Sequence, residues 1–296
     1  MQILDGKLTA KHYKNQLKAQ VDILIAAKLT VPHLAAVLVG NSGASETYVA
    51  SKVKNCAEIG YNSTLIRHND TVTEAALLQT ITTLNNDATV HGILVQLPLP
   101  AHINTEAVIN AINPSKDVDG FHPISIGRMV SGVATYLPAT PYGIMLLLKH
   151  YNIVTKGKHA VIIGRSNIVG TPISILLSRN SNPGNCTVTL VHSHTTNIPA
   201  LCLQADIIVA ALGKPNYLTA AMVKPGAVVI DVGITRIPDA AKKSGFTLVG
   251  DVDYAAVAPL CSYITPVPGG VGPMTIAALL MNTMQAYKHG LPKVGN

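Results

Sequence analysis

Short apolar runs alternate with amphipathic stretches through the first half of the chain. Strands are predicted at residues 34–39, 61–66 and 91–100, the last of which is ended by two prolines. Residues 1 to about 30 are predicted to form a short strand and then an amphipathic helix with an apolar stripe of Leu17, Val21, Leu24 and Ile25. Helices are also predicted at 45–59 and 74–84. Strands that alternate with helices favour a parallel sheet with crossover helices.

The helix after the first strand carries the first candidate chemistry. Ser45 is its predicted N-cap and Gly60 ends it. Its buried stripe is predicted to be Val49, Val53, Cys56 and Ala57. Tyr48 and Lys52 are four residues apart, so their side chains share one face beside that stripe. A phenol next to a half-buried ammonium can handle protons, although Tyr-x-x-x-Lys also arises by chance on ordinary surface helices.

Two more polar residues follow in this half of the chain. Ligands of parallel sheets bind beyond the carboxyl ends of the strands, and Gln96 lies at such an end. It is either a ligand-facing group or a satisfied core amide. Asp119 belongs to an Asp-Gly turn, and its carboxylate either serves that turn or accepts hydrogen bonds from a ligand's N–H groups. Pro138 and Pro141 then mark a domain boundary.

The second half has the pattern of a nucleotide-binding domain. A strand at 160–163 ends in Gly164, and a helix begins just past Gly170, so a glycine turn meets a helix N-terminus that attracts phosphate. Ser166 replaces the middle glycine of the usual Gly-x-Gly-x-x-Gly pattern. Further strands are predicted at 187–191, 206–212, 227–232 and 247–250. This spacing favours a Rossmann-like domain.

The residues after the strand at 187–191 favour NADP over NAD. An NAD enzyme usually places an acidic residue here for the ribose 2′-hydroxyl. This chain has His192, Ser193 and His194 instead, and Arg165 adds a guanidinium, so the groups suit a 2′-phosphate. Residues 263–275 then form a loop rich in glycine and proline that can donate backbone N–H groups.

Composition narrows the class of protein. A chain of 296 residues predicts about two domains. The net charge of +7 comes from scattered basic residues, without the dense cluster typical of nucleic-acid binders. Four widely separated cysteines argue against a zinc site and a disulfide framework. No apolar run reaches the ~18 residues of a membrane span and the first residues lack a signal core, so a cytoplasmic protein is expected.

Six stretches become specific when they are taken together. They are SETYVASK at 45–52, VQLPLP at 95–100, KDVDGFHP at 116–123, GRSNIVGTP at 164–172, DVGI at 231–234 and PVPGGVGPMT at 266–275. In this order the chain resembles the bifunctional methylenetetrahydrofolate dehydrogenase/methenyltetrahydrofolate cyclohydrolase family. The resemblance implies an α/β fold of two domains with a cleft between them. A smaller parallel-sheet catalytic domain is expected at 1–138, with the C-terminal helix, 276–296, packing back on it, and a Rossmann-like NADP-binding domain is expected at 139–275.

The resemblance also assigns roles to single residues. Lys52 is the expected acid/base group, Tyr48 positions and shields it, and Gln96 tunes it. Asp119 is the expected anchor for the folate pterin. Cofactor contacts are expected from Gly164, Arg165, Ser166, Val169, Gly170, Ser193 and Ile234. Substrate contacts are expected from Tyr48, Lys52, Gln96, Asp119, Val95, Leu97, Pro268, Gly269, Gly270, Val271 and Gly272. No metal site is expected.

The implied function joins an oxidoreductase and a hydrolase in one multifunctional enzyme. It oxidises 5,10-methylenetetrahydrofolate to 5,10-methenyltetrahydrofolate and hydrolyses the product to 10-formyltetrahydrofolate. NADP is the expected cofactor of the oxidation, and NAD is the second candidate. Its partners would be tetrahydrofolate substrates and a second copy of the chain, bound through the nucleotide domain, with no nucleic acid or membrane. This tetrahydrofolate interconversion belongs to one-carbon metabolism and supplies purine biosynthesis.

Three alternatives remain open on the residues alone. A short-chain dehydrogenase also combines Tyr-x-x-x-Lys with a Rossmann turn, but there the glycine turn comes first, whereas Gly164 follows Lys52 here. A non-enzymatic nucleotide sensor would not require Lys52, Gln96 and Asp119 to lie together. A basic nucleic-acid binder would bind in a salt-dependent manner.

Overall fold

The computed structural model describes residues 1–242 and 245–289. The chain divides into two compact units. The six-stranded unit consists of Met1–Lys11 and Thr140–Thr275, and the three-stranded unit consists of His12–Ala139 and the chain from Ile276 on. Each unit contains a parallel sheet with helices, so the predicted two-domain α/β class is confirmed.

Strands and helices alternate along most of the chain. The strands are β1 (Gln2–Ile3), β2 (His33–Val39), β3 (Asn62–His68), β4 (Gly92–Val95), β5 (His159–Ile163), β6 (Thr187–Val191), β7 (Ile207–Ala210), β8 (Val228–Asp231), β9 (Thr235–Pro238), β10 (Phe246–Val249) and β11 (Tyr263–Ile264). The helices are α1 (Gly6–Ala26), α2 (Gly43–Ile59), α3 (Glu74–Asn86), α4 (Thr105–Ala111), α5 (Pro123–Val130), α6 (Ala139–His150), α7 (Gly170–Ser178), α8 (Ile198–Leu203), α9 (Tyr254–Val257) and α10 (Val271–His289). Parallel neighbours need such crossover connections.

The central strand of the three-stranded sheet is β2, with β3 and β4 parallel on either side. Every residue of β2 after His33 is buried, as expected for a parallel strand covered on both faces. Leu77 of α3 and Val108 of α4 pack with Val37 in one apolar core. This core fixes the carboxyl ends of β2 and β4, from which the loops with the candidate residues emerge.

The sequence pattern does not predict α4 and α5, because both are too short to show a helical period. Their N-termini nevertheless have ordinary capping chemistry. The Asn104 side chain accepts hydrogen bonds from two backbone N–H groups of α4. Pro123 occupies the first turn of α5, and the His122 ring accepts a hydrogen bond from the Ile124 N–H at 3.0 Å.

The six-stranded sheet has the order β1-β11-β8-β7-β5-β6, and all its pairs are parallel. Its core contains Val161, Ile208 and Val229 from three adjacent strands. The chain leaves β5 to one side to form β6 and then crosses to the other side to form β7. The carboxyl ends at this reversal of strand order are where open α/β sheets bind dinucleotides.

Two features of this unit differ from the sequence prediction. The prediction of a fifth Rossmann strand at 247–250 is wrong, since β10 pairs antiparallel with β9 in a separate two-stranded sheet. The sheet is completed instead by β11 and β1. The short strand at the N-terminus is predicted, but its place in this sheet is not, because β1 and β11 have two residues each and their pairing joins distant parts of the chain. The predicted first domain, 1–138, includes β1, which the structure places in the six-stranded unit.

The last helix, α10, begins at Val271, before the predicted start at Ile276. From Ile276 on it belongs to the three-stranded unit, where the Leu280 carbonyl accepts a hydrogen bond from the Tyr61 hydroxyl at 3.0 Å. Residues 290–296 of the predicted C-terminal segment lie outside the described residues.

Two findings concern the environment of the chain. No helix within residues 1–242 and 245–289 has the length and apolar character needed to cross a bilayer. All four cysteines are buried and free, so they behave as small apolar groups.

A prediction about stability follows from Asn282 of α10, which is 1% exposed. Its side-chain amide donates hydrogen bonds to the carbonyls of Val118 at 2.8 Å and Leu137 at 2.9 Å. Asn282→Ala leaves both carbonyls without this donor and should lower the free energy of unfolding in urea by about 2–3 kcal/mol. Gln285→Ala, on the same helix, is the control and should cost less than about 0.5 kcal/mol. Equal losses in the two variants would contradict this role of Asn282.

Candidate functional site

The buried face of α2 includes Lys52. Its members are Ser45, Val49, Lys52, Cys56 and Ile59. The predicted stripe is therefore wrong in part, since Val53 is half-buried and Ala57 is exposed. The predicted N-cap is also wrong, because the helix begins at Gly43. Compared with the predicted stripe, the buried face is therefore rotated about the helix axis so that it includes Lys52, which is only 5% exposed.

The Lys52 amine has two uncharged neighbours. Its Nζ donates a hydrogen bond to Gln96 Oε1 at 3.2 Å, and it lies 5.6 Å from the centroid of the Tyr48 ring. Gln96 is itself fixed, since its Nε2 donates to the Leu97 carbonyl at 2.7 Å and its backbone N–H donates to the Val37 carbonyl at 2.9 Å. The structure therefore brings the three predicted catalytic residues Tyr48, Lys52 and Gln96 together.

Charges around Lys52 are sparse. None of the ion pairs among the described residues includes Lys52. Cys56 lies one turn further along α2, and burial raises the pKa of its thiol to about 12, against the opposing effect of the Lys52 charge. Cys56 therefore stays neutral, and the amine is the group of this cluster best suited to exchange a proton with a ligand.

Asp119 lies on a turn that a second carboxylate, Asp117, holds in place by accepting backbone hydrogen bonds. Gly120 has φ +74°, and a Cβ there would lie 2.6 Å from the Leu137 carbonyl carbon, so the turn requires glycine. Asp119 itself is half-buried and lines a narrow crevice of about 10 Å³ with Val95 and Leu97. The structure thus places Asp119 in the same crevice as Val95 and Leu97, two predicted substrate contacts that flank Gln96.

The role of Asp117 is missed by the sequence reasoning. It is 1% exposed and accepts hydrogen bonds from the His122 N–H at 2.9 Å and the Ser125 hydroxyl at 2.8 Å. Burial raises the pKa of its carboxyl to about 6, against the effect of these hydrogen bonds. The signal that could have found it is the Asp-x-Asp-Gly spacing, in which one carboxylate holds the turn and the other can then face a ligand.

The glycine turn after β5 is built by close backbone contacts. Gly164 has φ +114°, and a Cβ there would overlap the Ala211 carbonyl oxygen. A Cβ on Gly170 would overlap the Gly164 carbonyl oxygen, so the start of α7 packs directly on the backbone that follows β5. Ser166 Oγ accepts hydrogen bonds from the N–H groups of Val169 at 3.2 Å and Gly170 at 3.3 Å. A serine in place of the middle glycine thus caps the turn.

A basic cluster lies beside this turn. Arg165, Ser193 and His194 are exposed at the ends of β5 and β6. The ring centroids of His192 and His194 are 6.1 Å apart, and the pKa of His192 is lowered by desolvation and then by the charges of Arg165 and His194. The structure therefore brings together the groups expected to receive a 2′-phosphate. Ile234 is exposed beyond the end of β8.

The loop at 266–275 is less open than its glycines predict. The Gly270 N–H donates to the Pro266 carbonyl at 2.8 Å, and the Gly269 carbonyl accepts from the Lys7 N–H at 3.1 Å. Val271 and Gly272 belong to the first turn of α10 rather than to a loop. Pro268 and Gly269–Gly272 lie in the six-stranded unit, whereas Tyr48, Lys52, Gln96 and Asp119 lie in the three-stranded unit.

No cluster of His, Cys, Asp or Glu in the described part of the chain has the arrangement of a metal site.

Comparisons with known proteins match both units. The catalytic domain of the tetrahydrofolate dehydrogenase/cyclohydrolase family matches residues 4–119, and its NAD(P)-binding domain matches residues 138–291. The bifunctional protein FolD of Cytophaga hutchinsonii is 60% identical over 286 residues, which are 97% of this chain and 99% of that protein.

Solved structures agree with this match. The bifunctional FolD methylenetetrahydrofolate dehydrogenase/cyclohydrolase of Campylobacter jejuni is 48% identical, with a TM-score of 0.91 over 98% of this chain and 100% of that one. The corresponding Trypanosoma brucei enzyme, solved with NADP and an inhibitor, is 37% identical, with a TM-score of 0.91 over 96% of both chains. The chain therefore belongs to the tetrahydrofolate dehydrogenase/cyclohydrolase family, as its motifs predict.

Proposed function

We propose that this chain oxidises 5,10-methylenetetrahydrofolate with NADP and hydrolyses the resulting methenyl compound to 10-formyltetrahydrofolate. Family membership makes it a bifunctional dehydrogenase and cyclohydrolase. The observation that carries the residue-level proposal is the buried Lys52 amine, held by Gln96 and the Tyr48 ring. We assign the folate chemistry to the three-stranded unit and NADP binding to the six-stranded unit.

The six-stranded unit fits NADP at its glycine turn and basic cluster. Gly164 and Gly170 allow close backbone packing in this turn, because a Cβ at either position would overlap a carbonyl oxygen, and the N-terminus of α7 follows directly. Arg165, Ser193 and His194 offer donors for the 2′-phosphate. Bound NADP supplies the hydride acceptor. The chain contributes alignment in this step, because loss of hydride from the methylene carbon needs no proton transfer.

The cyclohydrolase step needs proton transfer, and we assign this to Lys52. Loss of hydride leaves a methenyl cation delocalised over two folate nitrogens, and water adds to its carbon. The uncharged form of the Lys52 amine accepts a proton from that water and returns it to the leaving nitrogen. The bond from this nitrogen to the carbon then breaks, and the hydroxyl of the adduct releases its remaining proton to solvent as the formyl carbonyl forms. Gln96 holds the amine in place through its Oε1, and Tyr48 covers it. Asp119 anchors the pterin by accepting hydrogen bonds from its N–H groups.

We further propose a homodimer formed through the six-stranded unit, in the cytoplasm. Four buried free thiols suit a reducing compartment. Light scattering on the purified chain distinguishes a monomer of 31.1 kDa from a dimer.

The most informative assay mixes purified protein with 5,10-methylenetetrahydrofolate and NADP, and separately with NAD. Reduced nicotinamide and methenyl absorbance are followed together. We expect reduction with NADP at a rate at least ~10-fold above that with NAD, and little build-up of methenyl compound because hydrolysis follows. An absence of nicotinamide reduction with either nucleotide would contradict the proposed dehydrogenase.

Lys52→Met tests the acid/base assignment. We expect at least a ~100-fold loss of cyclohydrolase activity because the general acid/base is removed, with measurable dehydrogenase activity retained. The methenyl compound should then accumulate in the coupled assay. Lys54→Met removes an exposed amine from the same helix and should leave both activities intact. Equal, mild losses of both activities in Lys52→Met would discredit the role of Lys52.

Arg165→Gln tests the choice of NADP. Removing the guanidinium should raise the KM for NADP by about tenfold or more and change the KM for NAD by less than about twofold, because only NADP carries the 2′-phosphate. Arg179→Gln, at the end of α7, is the matched control. An equal rise in both KM values for Arg165→Gln would show that Arg165 does not read the 2′-phosphate.

A further inference from the structure

Two aspartates of the six-stranded unit are buried outside the residues assigned above. Asp231 ends β8 and is 3% exposed, and Asp251 follows β10 and is 0% exposed. Burying a carboxylate costs free energy unless hydrogen bonds compensate it. Neither carboxylate forms an ion pair within residues 1–242 and 245–289. The pair therefore requires a physical explanation.

Asp231 binds backbone on both sides of the strand end. Its Oδ1 accepts hydrogen bonds from the N–H groups of Gly233 at 3.0 Å and Asp251 at 2.9 Å. Its Oδ2 accepts from the Val252 N–H at 3.1 Å. These bonds hold the segment after β10 against the end of β8. The pKa of the Asp231 carboxyl is raised to about 6, mainly by burial and in part by the charge of Asp251.

Asp251 binds the turn that follows β7. Its Oδ2 accepts hydrogen bonds from the N–H groups of Leu212 at 2.5 Å and Gly213 at 2.9 Å. Its Oδ1 is buried and has no hydrogen-bond partner among the described residues. An unsatisfied buried oxygen costs about 1–3 kcal/mol, so this arrangement is not optimal for stability alone. A buried oxygen without a partner in a native protein calls for an explanation, and strain of this kind clusters at ligand-binding sites.

Two glycines allow the carboxylates to interlock. A Cβ on Gly233 would overlap the Asp251 carboxylate, and a Cβ on Gly250 would overlap the Asp231 carboxylate. Each aspartate thus packs on a glycine next to the segment that carries the other. We call these four residues, Asp231, Gly233, Gly250 and Asp251, the clasp.

The clasp lies at the edge of the sheet where a dinucleotide binds. It fixes the turn at 211–213 and the segment 233–234, at the carboxyl ends of β7 and β8. β7 is the neighbour of β5, and Gly164 at the end of β5 packs directly on the Ala211 carbonyl. The basic cluster for the 2′-phosphate lies on the opposite side of β5, at β6. A dinucleotide bound across β5 therefore extends its nicotinamide half towards β7 and β8.

We propose that the clasp is a positioning device for the nicotinamide half of NADP, with Asp251 holding the turn at 211–213 and Asp231 holding the segment 233–234. The inference rests on the proposed dehydrogenase function and adds two positioning residues to it. Neither carboxylate touches the cofactor, because both are fully covered by the backbone that they hold.

Asp251→Ala and Asp251→Asn in the full-length protein test this proposal. The alanine leaves the Leu212 and Gly213 N–H groups without their acceptor, so the KM for NADP should rise about tenfold or more. The asparagine oxygen can keep both bonds and its amide nitrogen takes the place of the unpaired Oδ1, so the KM should stay within about threefold. Cyclohydrolase activity, assayed with methenyltetrahydrofolate and no nucleotide, should change less than about twofold in both variants.

Asp253→Ala is the matched control, because Asp253 caps α9 through the Ala256 N–H and lies outside the clasp. It should leave the KM for NADP unchanged. Parallel losses of dehydrogenase and cyclohydrolase activity in Asp251→Ala would show a merely structural role and overturn the proposal. An unchanged KM for NADP would also overturn it.

Asp231→Asn decides the question if Asp251→Ala does not fold. It keeps the volume but turns an amide nitrogen towards at least one backbone N–H, so NADPH should bind about fivefold or more weakly with cyclohydrolase activity retained. Equal NADPH affinity in this variant and the wild type would overturn the proposal. A wild-type protein that lacks dehydrogenase activity would contradict the proposed function itself, whereas active wild type with unaffected variants would contradict the clasp alone.

Discussion

The buried amine of Lys52 is the constraint around which the three-stranded unit is organised. An ammonium on the buried face of a helix costs free energy unless it is given partners. Here the partner is Gln96, whose own amide and backbone are fixed by the Leu97 and Val37 carbonyls. The position of Lys52 therefore depends on the end of β4 and on its pairing with β2. A reactive group held by the sheet edge is placed more rigidly than one on a free loop.

Buried carboxylates hold the turns of the site in both units. Asp117 accepts hydrogen bonds from the His122 N–H and the Ser125 hydroxyl, and thereby shapes the turn that carries Asp119. Asp231 and Asp251 do the same for the turns after β8 and β7. In each case a covered acceptor satisfies backbone N–H groups that would otherwise lack partners at a strand end. The exposed groups can then be assigned to ligands, because the covered ones keep the backbone in place.

The fold was largely predictable from the sequence, because short stretches rich in apolar and β-branched residues, such as 34–39 and 187–191, predict their strands well. The short first strand was predicted, but β11 and its pairing with β1 were not, since two-residue strands that are distant in the chain leave no periodic signal. The Tyr48, Lys52 and Gln96 cluster was predicted from helical spacing and from the strand end. The buried face of α2 was predicted only in part: Val49 and Cys56 are buried as expected, but Lys52 is a polar member of that face and periodicity arguments count only apolar residues. Asp117 and Asp251 were missed because most of their partners are backbone N–H groups, which carry no side-chain signature.

The most direct test of this account is a crystal structure with NADP and a non-reactive folate analogue bound. The decisive measurement is the distance from Lys52 Nζ to the atoms that flank the one-carbon unit. The account predicts a hydrogen-bond distance, about 2.6–3.2 Å directly or through one water, with the Gln96 contact preserved. An Nζ that points away from the bound one-carbon unit would contradict it.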